Sequence, residues 1–172
     1  MNTALEAIYD RRSIRKYKPE QISDGELEQI LRAGVCAPSG KNQQSAIIVA
    51  VQDKAEIAYM SKLNAGYWGT DIDPFYGAPT VLVVLAKADS SFAVQDGSLV
   101  MGNLMNAASA LGIGSCWINR ARELFDDEPG KALLKKWGIE GSYIGVGNCV
   151  LGYKAEDPTM KPRKENYVYY VR

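Results

Sequence analysis

Asp96-Gly97-Ser98-Leu99-Val100-Met101-Gly102-Asn103-Leu104-Met105-Asn106-Ala107-Ala108-Ser109-Ala110-Leu111, followed by Gly112-Ile113-Gly114-Ser115-Cys116-Trp117-Ile118-Asn119, holds no charge between Asp96 and Arg120. Small and apolar residues run all the way round the first part, the pattern of a helix buried on every side. Gly112 supplies a left-handed stop after Leu111. Residues 115–118 then read as a covered strand. A membrane span competes with this reading, but glycine, serine and asparagine break the run well short of the ~20 consecutive apolar residues a span requires. The stretch predicts a central core helix feeding a core strand.

The chain around it has 172 residues, enough for one domain over residues 1–172 with a sizeable core. Acidic and basic residues balance at 20 each, so net charge points neither to nucleic acid nor to an acidic partner. There is no histidine. That removes the Ser-His-Asp triad, the Cys-His pair and the usual zinc and iron sites, and no metal is expected. Cys36, Cys116 and Cys149 are far apart and odd in number. They fit small buried thiols of a reduced cytosolic protein better than a disulfide framework. The N-terminus lacks the apolar core of a secretion signal. The expectation is a soluble, cytoplasmic protein away from membranes.

Working towards the N-terminus, a first helix starts at Thr3, with Glu6 completing a capping box and Leu5, Ile8 and Tyr9 as its apolar face. It runs into Arg11-Arg12-Ser13-Ile14-Arg15-Lys16-Tyr17-Lys18, where five of eight residues are basic. Such concentration in a neutral chain invites an anion, which the arginine fork and a serine hydroxyl both suit; a solvated basic face is the alternative. Ser23 and Glu26 box a second helix with the stripe Leu27, Ile30, Leu31 and Val35, and Pro38 stops it. The loop 37–44 that follows, Ala-Pro-Ser-Gly-Lys-Asn-Gln-Gln, is rich in donors and acceptors, though a polar loop can also be a plain connector. Residues 45–51 read as a strand.

Asp53 and Glu56 open a third helix to about Leu63. From 64 to 79 the pattern dissolves into a long loop, the usual form of a lid or substrate wall. Its aromatic residues Tyr67, Trp68, Phe75 and Tyr76 either stack on a flat ligand or pin the loop to the core. Residues 80–86 form a β-branched run, hence a strand buried on both faces. Towards the C-terminus, residues 126–137 make an amphipathic helix stopped by Gly138. Residues 143–153 are a strand whose glycines admit a close neighbour. After it, Pro158 and Pro162 forbid a helix, and Lys161, Arg163 and Lys164 form a second basic cluster. Residues 167–171 read as an exposed strand in need of a sheet edge, its own or a second subunit's. Helices and buried strands alternate, which predicts an α/β or α+β sheet sandwiched by helices.

Three stretches, taken in order and spacing, resemble the nitroreductase family of FMN-dependent oxidoreductases. They are Arg11-Arg12-Ser13-Ile14-Arg15, then Pro38-Ser39-Gly40-Lys41-Asn42-Gln43-Gln44, then the 96–117 run with its Leu111-Gly112-Ile113-Gly114-Ser115-Cys116-Trp117 end; Leu151-Gly152-Tyr153 also fits. The resemblance implies a mixed, mostly antiparallel sheet flanked by helices, a homodimer with the C-terminal tail packed on the partner, and FMN at the dimer interface. Arg11, Arg12 and Ser13 match the family's phosphate and ribityl contacts. Arg15 matches a basic residue near the pyrimidine edge of the flavin, and is the candidate catalytic residue. Pro38, Ser39 and Asn42 would reach FMN from the other subunit. The backbone of Trp117, Ile118 and Asn119, as far as Arg120, matches the segment facing flavin N5. Lys161 and Arg163 match the late basic pair on the phosphate.

The second motif departs from the family, which often continues with Gln-Pro-Trp where this chain has Gln44-Ser45-Ala46. The chain is also short, which reduces the expected lid to the 64–79 loop. The implied activity takes hydride from NADH or NADPH and passes electrons to a nitroaromatic, quinone or similar small planar acceptor, by a ping-pong exchange without a side-chain acid or base. A reductive dehalogenase or flavin-oxidising enzyme on the same fold is one alternative. A non-catalytic FMN-binding or sensing protein is another.

Overall fold

Residues 80–87 set the architecture, because Thr-Val-Leu-Val-Val-Leu-Ala-Lys is apolar on both sides of a strand and must be covered on both. The structure is a computed structural model that describes residues 3–172, with the backbone alone of Thr3. Its elements are α1 (Thr3–Asp10), α2 (Asp24–Val35), a single 3₁₀ turn (Gly40–Asn42), β1 (Ala46–Val51), α3 (Lys54–Trp68), β2 (Thr80–Lys87), α4 (Ala93–Ala110), β3 (Ile113–Ile118), α5 (Ala121–Asp126), α6 (Glu128–Lys136) and β4 (Tyr143–Tyr153). The sheet runs β1-β2-β4-β3, each neighbouring pair antiparallel. A parallel pairing enters among the described residues only as the isolated bridge between Ser13 and Ser115.

Side chains alternate across this sheet and divide the core in two. On one face Val81, Val83, Leu85, Cys116 and Val150 meet Ile57 and Met60 of α3, Leu124 of α5 and Leu133 of α6. On the other face Leu82, Val84, Cys149 and Leu151 meet Ile30 of α2 and Val100, Met101, Leu104 and Ala108 of α4. A bulge interrupts the β2–β4 ladder, where Val84 faces Gly147 but Leu85 faces Gly145. The extra residue, Val146, turns towards α4, and a Cβ on Gly97 would lie 2.5 Å from its Cγ2. Bulge and helix glycine therefore require each other.

Several expectations hold in detail. The second helix carries a complete capping box, with Ser23 Oγ accepting from Glu26 N at 3.3 Å and Glu26 Oε2 accepting from Ser23 N at 2.8 Å. Gly112 and Gly138 take positive φ of 74° and 71° beyond α4 and α6. Each glycine of β4 has a close neighbour: the Ala121 carbonyl at Gly145, the Trp117 indole at Gly147, and Pro79 with Tyr17 at Gly152. The box proposed at Thr3 lies outside the described residues.

Others need correction. Within one chain α4 is buried along a single stripe, Ala93, Asp96, Gly97, Val100, Met101, Leu104 and Ala108. Its far side is half-exposed, and Leu99 is 46% exposed. The sheet, α1 and α2 pack against this helix, and no element of the described residues covers its remaining side. The third helix runs on to Trp68, capped by Gly69 at φ 68°, so the expected 64–79 loop shrinks to 69–79. Asn64 and Ala65 continue its buried stripe, but one is polar and the other small, which hid the period. The helix expected at 126–137 starts two residues later, as α6, and a separate helix, α5, precedes it across extended Asp127. No strand forms at 167–171, and residues 161–172 are exposed. Pro158 and Pro162, without N–H donors, interrupt pairing soon after β4. Cys36 is exposed at the end of α2, while Cys116 and Cys149 are buried as expected; all three are unpaired. Burial pushes the Cys149 thiol up to about 12. Among the described residues no helix is long and apolar enough to cross a membrane.

Candidate functional site

After α1 the chain straightens and is stitched to the sheet by its backbone. Ile14 N donates to Ser115 O (3.0 Å), Lys18 N to Tyr153 O (2.9 Å), and Ala155 N to Lys16 O (3.0 Å). Extended geometry sends alternate side chains to opposite sides. Ile14 is buried and Arg15 exposed, while Arg11, Arg12 and Ser13 are half-buried. Arg12 Nη1 donates to the carbonyls of Tyr9 (2.6 Å) and Arg11 (2.8 Å), and its Nε is buried without a hydrogen-bond partner. The Arg15 amide donates to the Glu156 carboxylate. The ion pairs among the described residues are Arg120–Glu123, Arg122–Asp126, Lys131–Glu128 and Lys136–Glu56. None neutralises Arg11, Arg12 or Arg15. Cys116 lies close by; burial raises its pKa, against the pull of Arg15, Ser13 and Arg11. Burial likewise raises the Tyr17 phenol far above its ordinary value. Its hydroxyl donates to Ile14 O at 2.6 Å. This corner is a guanidinium cluster on a firm backbone, without a side-chain ion pair among the described residues and suited to a phosphate-like anion.

The second motif is built differently. Pro38 and Asn42 are exposed, and Ser39 is half-buried. Lys41, Asn42 and Gln44 adopt left-handed φ of 52°, 54° and 50°. Ser39 Oγ accepts from Gln44 N at 3.0 Å, and Asn42 Oδ1 accepts from Gln44 Nε2 at 3.1 Å. Asp96, buried at the head of α4, accepts from Gly40 N at 2.8 Å and from Ser45 Oγ at 3.1 Å.

At the end of β3, Trp117 is half-buried on the α4 face, with a buried Nε1 that lacks a partner. Ile118 is buried on the opposite face. Asn119 and Arg120 are exposed, and Arg120 takes φ 71°. The Asn119 carbonyl accepts from Asn64 Nδ2 at 2.9 Å. Asn64 Oδ1, and both polar atoms of the Asn148 side chain opposite Ile118, are buried without partners. Of the four aromatic residues expected in the loop, Tyr67 and Trp68 belong to the end of α3, and only Phe75 and Tyr76 to the 69–79 loop. Tyr67, Phe75 and Tyr76 pack on the core, and only Trp68 of the four is exposed. Asp73 ties the loop down by accepting from the amides of Phe75 (2.8 Å) and Gly77 (2.6 Å).

The structure thus brings Arg11, Arg12, Ser13 and Arg15 together beside β3, the strand that ends in Trp117, Ile118 and Asn119. It does not bring Pro38, Ser39 and Asn42 to them. Ser13 sits beside Ser115, whose register leads through Leu151 to Thr80, whereas Ala46 lies opposite Ala86. The order of strands separates the two motifs by four spacings of about 4.8 Å across the sheet and about six residues of ~3.3 Å along it. Lys161 and Arg163 lie in the exposed tail. Sequence reasoning passed over three residues that hold these segments: Asn64, Asp96 and Glu156. Asp96 did leave a signal, as the one acid at the head of an otherwise charge-free helix.

Comparison with known proteins follows the same outline. The profile of the nitroreductase family matches residues 8–71 and 71–153. A relative from Archaeoglobus fulgidus, provisionally named NADH dehydrogenase/NAD(P)H nitroreductase, is 33% identical over 160 residues, covering 91% of this chain and 88% of its own. An FMN reductase [NAD(P)H] from Bacillus subtilis is 27% identical over 180 residues, covering 95% of this chain and 70% of its own. A solved nitroreductase with bound FMN from Bacteroides fragilis superimposes with a TM-score of 0.90 at 30% identity, over 100% of both chains. With the profile spanning both the basic corner and the charge-free helix, the chain belongs to the nitroreductase family.

Proposed function

We propose that this protein is a homodimeric FMN-dependent oxidoreductase that draws electrons from NADH or NADPH and delivers them to a nitroaromatic, a quinone or a similar flat acceptor. One observation carries the reading: an unneutralised arginine cluster, held by backbone hydrogen bonds against β3, lies diagonally across the sheet from the second family motif. A site that needs both motifs needs two chains. A two-fold partner presenting the same surface would set the 38–44 loop of one subunit beside the basic corner of the other. The uncovered side of α4 and the exposed tyrosines of the tail support that assembly.

The residues fit the cofactor. Arg12 has a buried Nε without a partner, and Trp117 Nε1 is buried unpaired beside β4. Arg11, Arg12 and Ser13 would hold the phosphate and ribityl chain, with Lys161 and Arg163 as the second basic pair. Pro38, Ser39 and Asn42 would reach in from the partner subunit. Bound FMN supplies the redox chemistry, accepting hydride and returning electrons. Arg15, exposed and unpaired by any carboxylate through its guanidinium, would stabilise negative charge developing on the pyrimidine edge. The 117–120 backbone would line the reacting edge, kept in place by Asn64. With no histidine in the chain, orientation and electrostatics take the place of a side-chain acid or base. One planar guest at a time in such a slot gives a ping-pong exchange. Three unpaired cysteines support a reducing, cytoplasmic setting.

The test is spectroscopic. Purified protein should be yellow, hold one FMN per subunit, and bleach on anaerobic addition of NADH or NADPH; steady-state double-reciprocal plots should be parallel. Protein that takes up no FMN would refute the reading at its root. Intersecting plots would remove the shared slot, and a monomer retaining FMN in sedimentation would remove the two-chain site.

A further inference from the structure

The 40–45 loop is strained, and one buried side chain ties its two ends together. Lys41, Asn42 and Gln44, none of them glycine, occupy the left-handed region within four positions. Such conformations persist only where the surroundings over-determine them. Here the constraint comes from Asp96, 3% exposed, whose two carboxylate oxygens divide between the two ends of the loop. Oδ1 accepts from Gly40 N (2.8 Å) and Oδ2 from Ser45 Oγ (3.1 Å). No cation balances this buried carboxylate in the ion pairs of the described residues. It lies in the first turn of α4, where the positive end of the helix dipole favours an anion. A further contact closes the same clamp: a Cβ on Gly40 would lie 2.3 Å from Cγ of Phe92, the residue that caps α4. Ser90 Oγ also donates to Gln43 Oε1 at 3.3 Å.

We infer that Asp96 is a positioning residue for the cofactor: it holds the loop in the strained form that presents Ser39 and Asn42 to the flavin bound by the neighbouring subunit. The inference rests on the flavin reading above. The physical content is preorganisation. A loop already fixed in its binding form loses little further freedom when the ligand arrives, whereas a relaxed loop must be ordered at the expense of affinity. Asparagine at 96 keeps an acceptor for the Gly40 amide and an amide group that can donate to Ser45 Oγ. Alanine keeps neither.

The experiment is titration of apo protein with FMN, followed by flavin fluorescence, for wild type, Asp96→Ala, Asp96→Asn and Ser45→Ala. Asp96→Ala should weaken FMN binding by about tenfold or more, and Asp96→Asn should remain within about threefold of wild type. Ser45→Ala, which frees one end of the loop, should fall between them. Hydrogen exchange adds a readout independent of turnover: the amides of Gly40 and Gln44 should exchange faster in apo Asp96→Ala and slow again when FMN is added. Unchanged affinity in Asp96→Ala, or equal damage from Asp96→Asn, overturns the inference while leaving the flavin reading intact. If Asp96→Ala does not fold, unchanged affinity in Ser45→Ala overturns it instead. Wild type that binds no FMN overturns both.

Discussion

The two motif-bearing corners of this molecule hold their side chains out by opposite means. At residues 11–18 the backbone does the holding, through hydrogen bonds to Ser115 and Tyr153, and Ile14 is the main inward anchor. At residues 38–45 the backbone is strained, and side chains do most of the holding, foremost a buried carboxylate that ties the two ends of the loop. A ladder of main-chain bonds is indifferent to most side chains, so the first corner should absorb substitutions that leave its charges in place. The second depends on a side chain 56 residues away from Gly40, so its weak point lies outside the loop.

Deleting charge should produce the largest effect. On the proposed reading, Arg11→Ala combined with Lys161→Ala would remove two charge-assisted contacts of about 1.5–3 kcal/mol each. The expected outcome is a folded protein that loses FMN on dialysis; stoichiometric retention would unseat both residues from the phosphate. Next comes subunit complementation. Arg11→Ala/Arg12→Ala protein and Ser39→Ala/Asn42→Ala protein, each poor in FMN alone, should regain up to one intact site per mixed dimer after co-refolding. No recovery would mean that the two corners serve one chain.

Backbone crowding separates the corners more finely. Gly40→Ala forces a methyl into Phe92 and should weaken FMN binding about tenfold, by displacing a loop that has no ladder to restore it. Gly114→Ala meets Ile14 Cγ2 at 3.0 Å and Gly152 O at 3.1 Å, a contact the neighbours can relieve by small shifts. It should lower thermal stability while leaving affinity within about threefold. The reverse ranking, by paired titration and melting, would contradict the assigned roles.

The smallest effects concern the thiols. Cys36, just before the second loop, is exposed, while Cys116 beside the first corner is 3% exposed. A thiol reagent near neutral pH should label Cys36 first and reach Cys116 and Cys149 only on unfolding; comparable labelling of Cys116 would show that the ladder opens. Burial raises Cys149 to about 12, so its neutral form is favoured in the fold. That contribution is complete below the ordinary thiol value of about 8.5 and fades as pH rises towards the folded value. Urea midpoints should therefore decline above pH ~9, and Cys149→Ala should flatten the decline.

Much of this arrangement was legible in the residues. The β-branched run at 80–86 and the capping box at Ser23 announce their elements because local pattern and packing agree. The basic corner was visible as charge density in a neutral chain. Less visible were features that depend on distant partners. Asn64, polar in the middle of a buried stripe, concealed the last turn of α3. The tail's tyrosines promised a strand, but residues 167–171 pair with no edge among the described residues. Asp96 read as the boundary of an apolar run, because nothing local says that its carboxylate reaches back to Gly40 and Ser45. The aromatic residues at 67–76 were ambiguous between ligand and core, and three of the four face the core.

The position of β4 also bears on how the chain is made. It follows the other three strands in the chain, yet it lies in the interior of the sheet, between β2 and β3. As the nascent chain emerges, β1 and β2 can pair early, but the second edge of β2, an almost unbroken aliphatic segment, finds no partner until residue 153 has left the ribosome. Completion of the core thus waits until distant segments close over a long sequence separation. Until then an open apolar edge is available to other chains. Premature termination anywhere before β4 should therefore yield an aggregating fragment.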